Sequence, residues 1–312
     1  MKNSQRMLVK IIKEICIKEN IQFECFSYDW ILRLIKNGKS LHIFGYQFEN
    51  NSATAQLLCT DKCAAYELLL SRQIPAVEHR FFMSPANFQY TGSQGNWQQM
   101  LSSLNKHGKL VCKPNEGTGG SNVFLVSTPA ELEYAVSKIF AHNRSLALCP
   151  YLPIENEYRL IVLNNDVKLV YSKNIPALNG DGIQTIRQLY LQYLQLHPEI
   201  PLANDVLNEV AEKIPAQNER IPINWKHNLG TGASPILITE KTLSEKLENL
   251  ALKACKVLQV NFASVDIVQT GNEYLILEIN SGVMMEAFAA SSPQNYLKAF
   301  QIYRQAILAQ LD

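Results

Sequence analysis

Apolar residues open the chain at the spacing of one helix face: Leu8, Ile11, Ile12, Ile15 and Cys16, broken by charges. That period predicts a helix over 5–18 rather than the core of an export segment. Ser40-Leu41-His42-Ile43-Phe44-Gly45 is short and apolar and reads as a strand. A helix from Lys62 to Arg72 follows, capped by Thr60 or Asp61. Gln73-Ile74-Pro75 ends it, because the residue before proline is biased away from helix. The polar, glycine-bearing stretch Thr91–Asn96 marks a boundary or hinge. Strand Lys109–Lys113 then runs into Pro114, loop 115–122 and strand Val123–Val126. Thr128-Pro129-Ala130-Glu131 is a helix start, with threonine as N-cap, proline at the first helical position and glutamate closing a capping box.

Arg159–Leu163 and Val167–Ser172 read as strands around the turn Asn164-Asn165-Asp166. Asn179-Gly180-Asp181-Gly182 is a second tight turn, with a helix from about Ile186. Residues 197–224 are polar, proline-bearing and loop-rich. Leu243, Leu247, Leu250, Ala251, Ala254 and Leu258 form one stripe of a helix over Thr242–Leu258. Strands Phe262–Val268 and Glu273–Ile279 flank Thr270-Gly271-Asn272 as a hairpin. There is no internal repeat, and no apolar run reaches the roughly 18 residues of a membrane span.

At 312 residues the chain has room for two domains or one bilobed unit. With 47% hydrophobic residues it can bury a core, which excludes wholesale disorder. Lys and Arg total 29 against 28 Asp and Glu, so the basic excess of a nucleic-acid binder is missing. Seven cysteines, an odd number with no CxxC, suit reduced and buried thiols in a cytoplasmic protein. Cysteines and histidines are too scattered for a zinc site.

Three sets of residues could carry chemistry. Gly117, Gly119 and Gly120 let backbone N–H groups approach an anion, with Lys113 adding a point charge. Alone, the loop reads first as an ordinary glycine hairpin, and it is neither a Walker loop nor a dinucleotide fingerprint. Glu278 and Asn280 share a strand face, and a three-residue hairpin loop would put Asp266 on that face too, whereas a two-residue loop would flip the relation. Three oxygen ligands suit Mg²⁺, the alternative being a solvated strand face, but Glu278 interrupts a strongly apolar strand, where a bare carboxylate is costly. Arg159 and Lys173, with Glu157, could neutralise phosphate or carboxylate, and equally could form a surface salt bridge. Cys112 and Cys149 sit in apolar strands as core residues rather than nucleophiles.

In order, these pieces resemble the ATP-grasp superfamily over residues 53–283, in the peptide-bond-forming branch of cyanophycin synthetase, bifunctional glutathione synthetases and α-L-glutamate ligases. The resemblance runs through Asp61-Lys62, Lys113-Pro114 with the glycine loop, Cys149-Pro150-Tyr151-Leu152-Pro153, Glu157-Tyr158-Arg159, Gly180-Asp181-Gly182 leading to Thr185-Ile186, Asn228-Leu229-Gly230-Thr231-Gly232, Asp266 and Glu278-Ile279-Asn280. It implies an α+β fold with two α+β lobes enclosing ATP, preceded by a small α/β domain. The expected division is 1–90 for that domain and 91–312 for the ATP-grasp domain, with lobes at about 109–150 and 151–312.

The resemblance also implies roles. Lys113 would contact ATP phosphates, and Glu116, Gly117, Thr118, Gly119, Gly120 and Ser121 would fold over them. The connector Cys149, Pro150, Tyr151 and Leu152 would read adenine through its backbone, and Glu157 would hold ribose. Arg159 and Lys173 would balance phosphate and carboxylate charge, and Asn228 would approach the phosphates or metal. Asp266, Glu278 and Asn280 would hold Mg²⁺, with Mn²⁺ as an alternative. Three positions depart from the pattern: Cys149 replaces a glutamate, Lys173 an arginine, and Ser281–Phe288 a proline-glycine ending. The implied activity is an ATP-dependent carboxylate–amine ligase of the cytoplasm, acting on small amino acid or peptide substrates, without nucleic acid or membrane partners and with a homo-oligomer left open. The alternatives are an ATP-grasp phosphotransferase and a nucleotide-binding regulator without turnover.

Overall fold

Helix α1 (Met7–Glu19) forms where the apolar stripe places it and ends at Asn20, whose φ of 53° is left-handed. The computed structural model describes residues 6–90, 92, 97–117, 119–197, 210–223, 225, 227, 229 and 232–312. Most of the expected hinge at 91–96 lies outside them, as do Thr118 and Asn228. The single strand expected near residue 40 is one of four. Strands β1 (Gln22–Phe26), β2 (Ile31–Lys36), β3 (Lys39–Phe44) and β4 (Gln47–Phe48) form an antiparallel meander in chain order. Helix α2 (Ala53–Thr60), which the sequence reading passed over, is capped by the Ser52 hydroxyl, and α3 (Lys62–Ser71) by the Asp61 carboxylate.

The next elements build the first lobe: β5 (Arg80–Met83), α4 (Trp97–His107), β6 (Leu110–Pro114), β7 (Phe124–Val126), α5 (Pro129–Phe140) and β8 (Ser145–Pro150). Its antiparallel sheet has the order β5-β8-β6-β7, so a strand from before residue 90 joins it. The capping box at Thr128 and Glu131 starts α5. Phe82, Leu110, Cys112, Leu132, Ile139 and Leu148 fill this lobe's core.

The second lobe is larger. It comprises β9 (Asn156–Leu163), β10 (Asp166–Asn174), β11 (Ala177–Asn179), α6 (Ile186–Leu196), β12 (Arg220–Pro222), β13 (Ser234–Leu237), α7 (Lys241–Leu258), β14 (Phe262–Thr270), β15 (Glu273–Asn280), α8 (Glu286–Ala290) and α9 (Pro293–Leu311). Five strands form an antiparallel sheet in the order β13-β10-β9-β14-β15. Asn164 and Asn165 join β9 to β10 with φ of 51° and 59°, the left-handed pair that a tight hairpin needs.

The two faces of this sheet are covered differently, and that difference positions the site. Tyr158, Leu160, Val162, Val265 and Ile267 face α2, α3 and α7 in one core. On the other face, Ile161, Leu163, Tyr171 and Phe262 pack against α1, the meander, α8 and α9. The rest of that second face carries polar side chains. The segment after Asn280 belongs to the packing: Val283, Met285 and Phe288 are buried, and Gln47 bridges Gly282. The apolar run 281–288 therefore serves the seam with the meander. Among the described residues, no helix is long and apolar enough to cross a membrane.

Candidate functional site

Register alone brings the polar residues together. Residues two apart on a strand share a face, so Glu157 and Arg159 on β9 point the same way. Arg159 pairs with Tyr171 on β10 and with Asp266 on β14, and Asp266 pairs with Glu278 on β15. The hairpin loop has two residues, since Thr270 pairs with Glu273. By regular alternation that loop would turn Glu278 toward the core. A β-bulge intervenes: Ile267 pairs with Ile276 and Asp266 with Glu278, leaving Leu277 as the extra residue. The three-residue loop is thus corrected to a two-residue loop plus a bulge, and Asp266, Glu278 and Asn280 still share a face.

Asp266 is the electrostatic centre. Its Oδ1 accepts from Arg159 Nε at 2.8 Å and its Oδ2 from Arg159 Nη2 at 2.6 Å. Lys173 Nζ stands 2.9 Å from Asp266 Oδ1 and also donates to Glu157 Oε1. Burial alone would raise the Asp266 pKa, but Arg159 and Lys173 outweigh it and hold the carboxyl well below the aspartate range. Lys173 is likewise raised: burial opposes its charge, and Asp266 and Glu157 restore it. Glu157 moves up, because burial outweighs the attraction of Lys173. Arg159 and Lys173 are therefore an internally neutralised core network rather than a surface salt bridge.

A second charged group sits where the first lobe meets α3. Lys62 lies 3.4 Å from Glu278 Oε1 and donates to the Asn115 carbonyl at 3.3 Å and to the Gly117 carbonyl. Asn115 is fully buried, and its Oδ1 accepts the Cys63 N–H at 3.1 Å, which ties the root of the glycine loop to the start of α3. The side chain of Lys113, a residue 8% exposed, makes no hydrogen bond or ion pair with any described residue. Burial and the nearby Lys113 charge hold His79 neutral, its pKa well below the usual histidine value. Gly119 and Gly120 take φ of 69° and 74°, so the loop turns where only glycine does so without strain.

Between the two sheets lies a buried apolar cluster of Val77, Val111, Cys149 and Val268, with Tyr151, Leu152, Leu275 and Leu277 packed against it. Along the chain, the family description RimK-like ATP-grasp domain matches residues 208–299, the stretch holding Asp266, Glu278 and Asn280. Over that stretch the chain is similar to RimK-like ATP-grasp domains.

The glutathione biosynthesis bifunctional protein GshAB of Listeria innocua is 27% identical over 203 residues, covering 57% of this chain and 26% of the relative. Its counterpart from Mannheimia succiniciproducens is 22% identical over 274 residues, covering 81% and 33%. The chain thus spans a quarter to a third of the curated relatives it matches. The bifunctional glutathione synthetase structure from Pasteurella multocida aligns with 95% of this chain and 44% of its own, at a TM-score of 0.53 and 17% identity. The D-alanine–D-alanine ligase from Bacillus anthracis covers 81% of this chain and 71% of its own, at a TM-score of 0.51 and 15% identity. These structural likenesses show the ATP-grasp fold.

The segment Cys149–Leu152 has one backbone donor to spare. Pro150 has no N–H, the Tyr151 N–H donates to the Lys109 carbonyl at 3.1 Å, and the Leu152 N–H has no partner among the described residues. The Cys149 thiol is buried against the Val111 carbonyl. Glu116 is exposed and lies 3.4 Å from Arg144. The described residues hold no group of three or more His, Cys, Asp and Glu able to bind a metal. A cation on this face would rely on two carboxylates and the Asn280 amide oxygen. Lys62 is the residue that sequence reasoning left without a role. The signal was present: a lysine in the first turn of a helix opposes the helix dipole, so another interaction must hold it there.

Proposed function

We propose that this chain is an ATP- and Mg²⁺-dependent ligase that joins a carboxylate, of an amino acid or peptide, to an amine through an acyl phosphate. The observation that carries this reading is the polar sheet face on which Asp266 and Glu278 pair, tied through Lys62 to the Gly117 carbonyl of the glycine loop, with Lys113 on the strand that leads into that loop. Lys62 and Lys113 bring positive charge to the root of that loop, where an anion such as a polyphosphate would be stabilised. Relatives named for glutathione biosynthesis and for D-alanine–D-alanine ligation support the reaction class, and the Bacillus anthracis ligase has been solved complexed with ATP.

In this reading the adenine lies against the connector at Tyr151 and Leu152, and the Leu152 N–H meets its edge. Glu157 holds the ribose, and Lys113, Lys62 and the loop from Glu116 through Thr118 to Ser121 hold the phosphates. Asp266, Glu278 and Asn280 fit Mg²⁺, which prefers hard oxygens and leans on substrate phosphates and water. Asp266 keeps acceptor capacity beyond its three bonds to Arg159 and Lys173. When bound, the cation supplies charge neutralisation at the phosphates. A substrate carboxylate oxygen attacks the γ-phosphorus and ADP leaves. The amine nitrogen then attacks the acyl carbon, phosphate leaves, and the nitrogen gives up a proton. The side chains position and neutralise, with Arg159, Lys173 and Asn228 balancing the charge that moves, and no protein nucleophile is needed. All seven cysteines are free, which suits a cytoplasmic enzyme.

The test is incubation with ATP, Mg²⁺ and a panel of amino acids and short peptides, following ADP by a coupled assay and amides by mass spectrometry. A ligase yields ADP and amide in equal amounts, and only when both acid and amine are present. A phosphorylated product without amide would replace this reading with a phosphotransferase, and ATP binding without turnover with a regulator.

A further inference from the structure

A concavity lies away from the Asp266–Glu278 face. It is open, about 920 Å³, and sits where α7 passes the Arg72–Pro75 turn and the start of β15. Its walls are cationic: Lys246, Lys253 and Lys256 come from α7, and Arg72 from beyond the end of α3. The three lysines stand at i, i+7 and i+10, one stripe about 15 Å long at the α-helical rise. Beside them Ile74, Leu250, Val257 and Leu275 supply an apolar floor. Glu273 is the carboxylate in the lining. The nearby α7 acids are engaged elsewhere, Glu245 with Lys241 and Glu248 with the Ser244 hydroxyl. Among the described residues, Arg72, Lys253 and Lys256 form no ion pair. In a chain of net charge +1, four cations against one acid is a local excess.

We propose that this cleft docks an acidic peptide segment in extended conformation. The charges are strung along the helix instead of converging on one point, as a compact phosphate would require. An extended chain covers about 15 Å with four to five residues at roughly 3.3 Å each. Its alternating side chains would place carboxylates toward the α7 lysines and apolar groups on the floor. A single-stranded RNA fits less well, because such binders offer free aromatic faces for stacking. The aromatic ring in this lining, Tyr274, is already covered by Lys246 Nζ at 4.1 Å from its centroid. The floor is also joined to the reaction face: Ile276 N–H donates to the Pro75 carbonyl at 3.0 Å, and Glu278 lies two residues further along β15. A docked segment is thereby tethered to the strand that carries Glu278. The proposal does not rest on the ligase reading, since docking is measured without ATP.

The probe is a short fluorescein-labelled peptide in which glutamates alternate with leucines, titrated by anisotropy at low and at physiological salt. Saturable binding that weakens with salt is expected, with slowed hydrogen exchange at 72–75 and 246–259 in the wild-type protein. The triple variant Lys246→Glu, Lys253→Glu, Lys256→Glu should bind at least about tenfold more weakly. The neutral triple Lys→Gln variant, which perturbs the surface less, should fall in between. Unchanged affinity in a folded variant, equal binding of the glutamine-for-glutamate peptide, protection elsewhere, or tighter binding of a single-stranded RNA of matched charge would each overturn the proposal.

Discussion

A lysine buried without a partner is a position where stability and function pull in opposite directions. Lys113, 8% exposed, comes close to that case: its strand place and charge were legible in the sequence, whereas the absence of a side-chain partner among the described residues was not. Lys113→Met keeps the length of the side chain and removes the charge. ATP affinity, by calorimetry, should fall at least about tenfold, while the melting temperature without nucleotide should hold or rise, because an uncompensated charge is gone. A purely structural lysine would give the reverse pattern. Asp266 obeys a different rule. Its pKa is depressed in the folded protein, so it contributes stability above its unfolded value and loses it as pH falls through the folded one. Denaturant unfolding of the wild type should weaken as pH drops below about 4, the ordinary aspartate value. Glu157 works against this over a narrow range: its raised pKa favours the folded state while it is protonated, and that contribution fades as pH rises. Asp266→Asn should cost about 3–5 kcal/mol at pH 7, since it leaves Arg159 and Lys173 underpaired, and its acid limb should be shallower than the wild type's. Identical acid limbs would remove Asp266 from this linkage.

Elements whose signals are local were readable, and those decided by pairing were not. The capping box of α5 and the α7 stripe lie within a few residues and appear where expected. The bulge at Leu277 has no local signature, because it is a property of how β15 meets β14. It nonetheless decides whether Glu278 faces the core or Asp266. β1, β2 and β4 were missed for a related reason: they are short strands of a meander whose order appears only once it packs on α1 and α9. Gly180 shows how a turn reads in sequence but not the reason for its residue. A Cβ there would stand 2.1 Å from the Ala216 carbonyl oxygen, so only glycine fits the approach of 215–216 to the β11 end. Gly180→Ala should destabilise the protein by roughly 1–3 kcal/mol, the scale of overpacking. Hydrogen exchange should quicken around 177–183 and 215–223 and stay unchanged in the first lobe. Wild-type stability in this variant would mean that the segment yields without cost.

At the scale of the molecule, the ATP-grasp fold was legible from ordered motifs, but the attachment of the first 50 residues was not. Motifs report chemistry along the chain, while attachment depends on which apolar faces meet. Here α1 and the meander share one core with Ile161, Tyr171, Phe262 and the α9 residues Tyr303 and Ile307. Phe48 is at its centre, stacked on Tyr303 at 5.7 Å and edge-on to Phe262 at 5.1 Å between ring centroids. Asn51 adds a polar tie, its amide donating to the Phe262 carbonyl at 2.7 Å and its oxygen accepting the Asn261 and Phe262 N–H groups. Residues 7–48 therefore share their core with the five-stranded sheet and α9, and removing any large part of it must weaken both sides. Phe48→Ala should cost about 3–5 kcal/mol, as large-to-small changes in packed cores do. The decisive reading is the shape of the calorimetric melt. If the seam is one core, the meander and the five-stranded sheet unfold in a single transition, and Phe48→Ala lowers it as a whole. An independent N-terminal domain predicts two transitions, only the first of which moves. That outcome would separate the meander from the five-stranded sheet, and the packing of 281–288 against it would then be a docking contact rather than part of the fold.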